Sequence, residues 1–276
     1  MEKAITIRMP STANLMIDSA DRNTAIYPSA WDFAIQKNQS IQNGFFTRIG
    51  TTEVVMEWCE ANVNGDIVFD VSGASTRSNV TISFGASSLT VAELMDAVVA
   101  SYNSPATTKP AGTSMSVSVD LGAAGFDMSG GKFQVNPTPL ASALGLDIGG
   151  GLQDRQVLGG CTDLRPYRYV DIISPQLTYA QDLKDNSTQQ SNRDVLCRWY
   201  FAEDVPENLD AYGYPILMGY KPFVRRRIFN PPKQIKWDNN LPIGNLTFQV
   251  YDQTGNLLPT SDDKSNFLMT LQLTEN

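Results

Sequence analysis

The chain has 276 residues, 42% of them hydrophobic, and a formal charge of −8. That length lies near the upper limit for one hydrophobic core, so one enlarged domain or two closely joined ones fit, and the acidic balance argues against broad wrapping of nucleic acid, which needs clustered Lys and Arg to displace counterions. With no histidine in the chain, Ser-His-Asp and Cys-His nucleophiles, His-based zinc sites and the usual proton shuttle near neutral pH are excluded.

In chain order, residues 1–22 read as an extended N-terminal arm, because Met9-Pro-Ser-Thr12 interrupts the alternation of Ile5 and Ile7 and a turn-like Asp18-Ser-Ala-Asp21 follows. Strand candidates come next at 31–36, 52–59, 66–71 and 80–84, short runs separated by Gly, Asn and Asp. One helix then breaks the β pattern. Val91, Leu94, Met95, Val98, Val99 and Tyr102 recur at helical spacing, Thr90 with Glu93 makes a capping box, and Asn103-Ser-Pro105 stops the run. Its apolar stripe must pack on a sheet, which places a small α+β insertion at about 78–148.

Beyond the helix, Met115, Val117, Val119 and Leu121 alternate with polar residues, and 132–135 is a further strand. The segment 145–160, with Gly149-Gly-Gly151 and Gly159-Gly160, reads as a loop, as does the polar stretch 178–193. Strands follow at 167–174, 196–202 and 226–236, the last interrupted by Pro231-Pro232. Leu246, Phe248 and Val250, then Phe267, Met269, Leu271 and Leu273, close the chain with period two, one face toward a core and one away from it. The fold class is mainly β, a sandwich or jelly roll with one helical insertion.

The residues offer little chemistry. Glu203-Asp204 and Asp262-Asp263 are the adjacent carboxylates, in polar segments where solvated turns are the rule; Gly149-Gly-Gly151 lacks the Gly-Lys-Ser/Thr of a phosphate loop, and Asp18-Ser-Ala-Asp21 lacks the remaining ligands of a calcium loop. Cys59, Cys161 and Cys197 are widely spaced and odd in number, matching thiols made in a reducing cytosol better than a disulfide framework or a metal knuckle. Asn-x-Ser/Thr at Asn38, Asn79, Asn186 and Asn245 reads as chance, since the N-terminus lacks a signal peptide. No stretch reaches the roughly 18 apolar residues of a membrane span. Cofactor and metal are accordingly expected to be none, and the protein is not expected to be an enzyme.

What remains is surface. Trp199, Tyr200 and Phe201, Tyr212 and Tyr214, and the basic run Arg225, Arg226 and Arg227 are the candidate subunit-contact residues, because Trp, Tyr and Arg are enriched among interface anchors. Three charges are too few to establish nucleic-acid binding without geometry. An exposed cluster beside a strand and ordinary aromatic packing are the plainer readings of the same residues.

Several phrases in order carry a resemblance. They are Leu15-Met-Ile-Asp-Ser-Ala-Asp-Arg22, Ile82-Ser-Phe-Gly85 with Leu89-Thr90, Leu144-Gly-Leu146, Tyr169-Val-Asp-Ile-Ile-Ser174, Ile235-Lys-Trp237, and Leu246-Thr-Phe-Gln-Val-Tyr-Asp-Gln-Thr-Gly255. Together they resemble the penton and minor capsid proteins of double-stranded DNA viruses with jelly-roll capsids: virophages, polinton-like viruses and their larger eukaryotic relatives. The resemblance implies a non-enzymatic jelly-roll domain over 23–276, preceded by the arm and interrupted by the insertion. It further implies a virion location after synthesis in the host cytoplasm, homopentamers at the capsid vertex, and contact with major capsid proteins and with other minor capsid or spike proteins. The alternatives are another minor capsid role, or a glycan- or receptor-binding spike module in which Trp199 or Tyr212 stacks on sugars.

Overall fold

The computed structural model describes residues 12–41, 46–120, 122–160, 162–178, 195–201, 208–236, 243–259 and 264–275. In chain order the strands and helices are β1 (Thr12–Asp18), β2 (Asp32–Ile41), β3 (Arg48–Trp58), β4 (Val63–Gly73), β5 (Arg77–Ser87), α1 (Val91–Asn103), β6 (Ser114–Asp120), β7 (Ala123–Ser129), β8 (Gly131–Val135), α2 (Pro139–Ala143), β9 (Arg155–Val157), β10 (Tyr169–Ile173), α3 (Pro175–Thr178), β11 (Val195–Tyr200), β12 (Phe223–Ile228), β13 (Gln234–Lys236), β14 (Ile243–Asp252) and β15 (Asn266–Thr274). They sort into two compact units, one holding residues 1–59, 167–200 and 223–276, the other 60–166 and 201–222.

The first unit is a sandwich of two antiparallel sheets, ordered β1-β15-β3-β12, with β13 also on β3, and β11-β10-β14-β2. Alternation dictates the facing sides. Along β15, Phe267, Met269, Leu271 and Leu273 are buried, and along β14, Leu246, Phe248 and Val250 are buried while Thr247 and Gln249 lie on the opposite face. Across the sandwich Phe33 of β2 meets Phe267 of β15 at 5.7 Å, and Phe33 stacks on Phe248 at 5.5 Å. Trp31 and Trp58 pack beside them at 5.4 Å. Eight principal strands wound into two four-stranded sheets make a jelly roll.

The arm expected over residues 1–22 is corrected from Thr12 onward. Thr12–Asp18 is the edge strand β1, in continuous register with β15 from Thr12↔Thr274 to Asp18↔Leu268, and it buries Leu15 and Ile17. Pro10, the breaker on which the arm was inferred, precedes this strand, while the short alternation of Leu15 and Ile17 is enough to seat it on a sheet already formed by distant residues. Residues 1–11 lie outside the described residues. The following Asp18–Arg22 phrase is a corner: Asp18 Oδ1 accepts from the Ala20 N–H at 2.8 Å, and the buried Arg22 guanidinium donates to the Ser19 carbonyl at 2.8 Å, the Tyr27 carbonyl at 3.2 Å and Asn266 Oδ1 at 3.0 Å. Burying a guanidinium costs heavily unless its donors find acceptors, so these acceptors fix the geometry of the corner.

The second unit contains two three-stranded sheets, β5-β4-β8 and β6-β7-β9, and the helix α1. The capping box is present in both directions, Glu93 N–H to Thr90 Oγ1 and Thr90 N–H to Glu93 Oε2, and the stripe Val91, Leu94, Met95, Val98 and Tyr102 is buried against Phe69, Phe126 and Phe133. The segment 208–222 belongs to this unit. Asp210 Oδ2 accepts from the Ala92 N–H at 2.8 Å, Oδ1 accepts from the Tyr212 and Tyr214 N–H groups at 2.9 Å each, and Lys221 ion-pairs with Glu93 at 2.5 Å. Lys221 and the Thr90 N–H together hold the Glu93 carboxyl below its ordinary pKa.

The insertion is therefore wider than 78–148, starting at Glu60, ending at Pro166, and taking a second excursion from Phe201 to Pro222. Its outer strands were assigned to the sandwich by sequence because pairing partners are nonlocal: β4 pairs with β5 but also with β8, some sixty residues on. The strand β7 carried little signal because its apolar alternation of Ala124, Phe126 and Met128 is short and crowded by the glycines Gly122, Gly125 and Gly130. One of them, Gly125, is required, since a Cβ there would lie 2.6 Å from the Gln156 carbonyl of β9.

Candidate functional site

The expected contact residues fall into three groups. Trp199 and Phe201 are 2% and 1% exposed and are packing residues. On β11 the side chains alternate, so Trp199, paired with Val170, faces the core, whereas Arg198 and Tyr200, paired with Asp171 and Tyr169, point outward. Burial of this kind leaves no ring face on which a sugar stacks, which counts against the glycan-binding role expected of Trp199.

Tyr212 and Tyr214 belong to the second unit and are half-buried. The Tyr212 hydroxyl donates to Asp96 Oδ1, and the Tyr214 hydroxyl accepts from the Ala124 N–H at 3.2 Å. Desolvation first, then the Asp96 carboxylate, push the Tyr212 hydroxyl up to about 12. Both rings fasten the 208–222 segment within their own unit.

The remaining candidates meet on the sandwich. Arg227 on β12 lies over the ring of Tyr200 at 5.7 Å and over that of Phe229 at 5.6 Å. Tyr200 in turn lies 5.8 Å from Tyr169, whose face is covered by the Arg198 guanidinium at 4.0 Å, and Arg198 is held by Asp171 through contacts of 2.6 and 2.8 Å. The Asp171 carboxylate raises the Arg198 pKa further above its already high value. Tyr200 is 42% exposed, so this chain of alternating rings and guanidiniums borders solvent. Such cation–π contacts orient side chains before any partner arrives, which lowers the ordering cost of a contact.

Arg225, Arg226 and Arg227 do not act as one cluster. Pairing of β12 with β3 puts Arg225 opposite Met56 and Arg227 opposite Val54, on the side of the sheet that faces the core, while Arg226 lies opposite Val55 on the outer side. Arg226 ion-pairs with Glu53, Nε to Oε1 at 2.5 Å and Nη2 to Oε2 at 3.2 Å. Beside it stand Val224 and Ile228, 70% and 62% exposed. On the opposite edge of the same sheet Met16 is 66% exposed. Sequence reasoning missed these three apolar residues together with Tyr169, Arg198 and Phe229. The period-two pattern Val224, Arg226, Ile228 held the signal, but an exposed and a buried apolar face look alike until the sheet is assembled.

Chemical groups are sparse elsewhere. Burial pushes the Cys197 thiol up to about 12, far from a reactive thiolate. Among the described residues no group of three or more His, Cys, Asp or Glu side chains is placed to hold a metal ion, and no helix is long and apolar enough to cross a membrane. Glu203-Asp204, Asp262-Asp263, Cys161 and most of the polar loop at 178–193 lie outside the described residues.

No family model matches the sequence, and no curated protein matches it. Among solved structures, the fold is similar to the crystal structure of the mavirus penton protein, with a TM-score of 0.52 and 11% sequence identity over 97% of this chain and 99% of that one. At this identity the likeness is one of fold. It spans both units rather than the sandwich alone.

Proposed function

We propose that this protein is a penton, a structural vertex component of an icosahedral virus shell. The observation that carries the reading is the likeness to the mavirus penton protein over nearly the full length of both chains, since a jelly roll by itself serves many roles whereas this likeness takes in the sandwich and the inserted unit of this chain together. The phrases that resemble the penton and minor capsid proteins point the same way. In this reading the protein assembles as a homopentamer, contacts the major capsid protein, and resides in the virion. An icosahedral reconstruction of particles carrying the protein tests it. Density for this chain at the five-fold vertices is the expected result; density only at other capsid positions would assign it to another minor capsid role.

The pre-ordered ring-and-guanidinium chain of Tyr169, Arg198, Tyr200 and Arg227, together with the Arg226–Glu53 pair on the other face of β12, is the proposed contact surface. Charge reversal of Arg225, Arg226 and Arg227 to Glu should weaken assembly of the purified protein most at low ionic strength and flatten or reverse its dependence on salt, because screening then relieves a repulsion instead of an attraction, while the far-UV circular dichroism spectrum stays that of the parent chain. Assembly equal to the parent at every ionic strength would remove these arginines from the contact.

A further inference from the structure

We infer that neighbouring copies join edge to edge, with β12 of one copy laid against β1 of the next. The inference rests on the proposed ring and names the contact that closes it. In the sheet β1-β15-β3-β12 every pairing is antiparallel, and among the described residues β1 pairs only with β15 while β12 pairs only with β3. Both ends of the sheet thus present a strand bonded on one side. Three antiparallel steps make β12 run opposite to β1. A rotation about an axis parallel to the strands preserves strand direction, so β12 meets the β1 of the next copy in antiparallel sense, continuing the sheet. Such a contact is head-to-tail and repeats until it closes.

Charge and side-chain placement favour a second copy as the occupant. On the outer face one edge carries Arg226 and the other ends in Asp18, in a chain whose overall charge is −8. One antiparallel register sets Arg226 opposite Asp18 and Ile228 opposite Met16, all four on the outer face. It brings Val224 to Ala20, at the rim of a shallow depression lined by Asp18, Ala20, Val55, Glu57, Asn266 and Leu268. Arg226 uses Nε and Nη2 on Glu53, leaving the two N–H donors of Nη1 for an incoming carboxylate. The exposed apolar side chains of the two edges, Met16 with Val224 and Ile228, would then lie side by side as cross-strand neighbours.

The pair Met16→Cys with Ile228→Cys, in the full-length chain, tests the register. Directly opposed residues of an antiparallel pair have Cα atoms about 4.5–5.5 Å apart, within the span of a disulfide, and both side chains are exposed, so neither change threatens the fold. Mild oxidation of the double variant should give a reducible ladder on a denaturing gel ending at the size of the closed ring, while the parent chain and each single variant give no ladder. If native mass spectrometry finds the parent as a ring but the double variant forms no intermolecular cross-link, edge pairing is wrong and the ring stands on another contact. A monomeric parent chain that also fails to cross-link as the double variant overturns both the edge pairing and the ring.

Discussion

A chain beginning at Thr12 should fold as the parent does, whereas one beginning at Ser19 should lose the sandwich. The difference is β1. Removing it takes Leu15 and Ile17 out of the core, where they are 3% and 0% exposed, and each such side chain contributes about 1.5–3 kcal/mol by burial. It also strips the pairing partner from β15 along seven registered positions and uncovers one side of the sheet. A loss of about 3–6 kcal/mol from burial alone consumes much of a typical domain's 5–15 kcal/mol. Trp31, Trp58 and Trp199 belong to the sandwich unit and the inserted unit's segments 60–166 and 201–222 contain no tryptophan, so tryptophan fluorescence carries no contribution from the inserted unit. Equal denaturation midpoints for the two truncated chains would return Thr12–Asp18 to the status of an arm.

Phe248→Ala should destabilise the sandwich by about 3–5 kcal/mol. Phe248 is fully buried on β14, an inner strand flanked by β10 and β2, and its ring stacks on Phe33. No edge is available along which the sheet can shift to refill the space, so the cavity term adds to the transfer term. Urea unfolding followed by the same tryptophan signal should show a lower midpoint with an unchanged slope. A parent-like midpoint would mean that the ring does not occupy the core position its alternation with Leu246 and Val250 assigns.

Local patterns in the sequence were sufficient where neighbours in the chain decide the outcome. The capping box and apolar stripe of α1, the alternation of β14 and β15, and the proline break between β12 and β13 all occur as the sequence reads. Partners distant in sequence decide the rest. The fate of Thr12–Asp18 depends on β15 at the far end of the chain, the limits of the inserted unit depend on β8 returning to β4, and β7 is a strand because β6 and β9 flank its short run. The candidate surface divides the same way. An aromatic run such as Trp199-Tyr-Phe201 cannot show which rings face inward, because that follows from register with β10; once paired, Tyr200 alone of the three remains exposed, beside an Arg227 that lies 27 residues on.

Assembly is the claim from which the rest follows, and the mass of the purified, full-length native protein tests it most directly. Native mass spectrometry at physiological ionic strength should give a single closed species of five copies, dissociating as salt is raised if Arg226 and its neighbours carry the contact. A stable monomer at micromolar concentration, unchanged from low to high salt, would contradict the account.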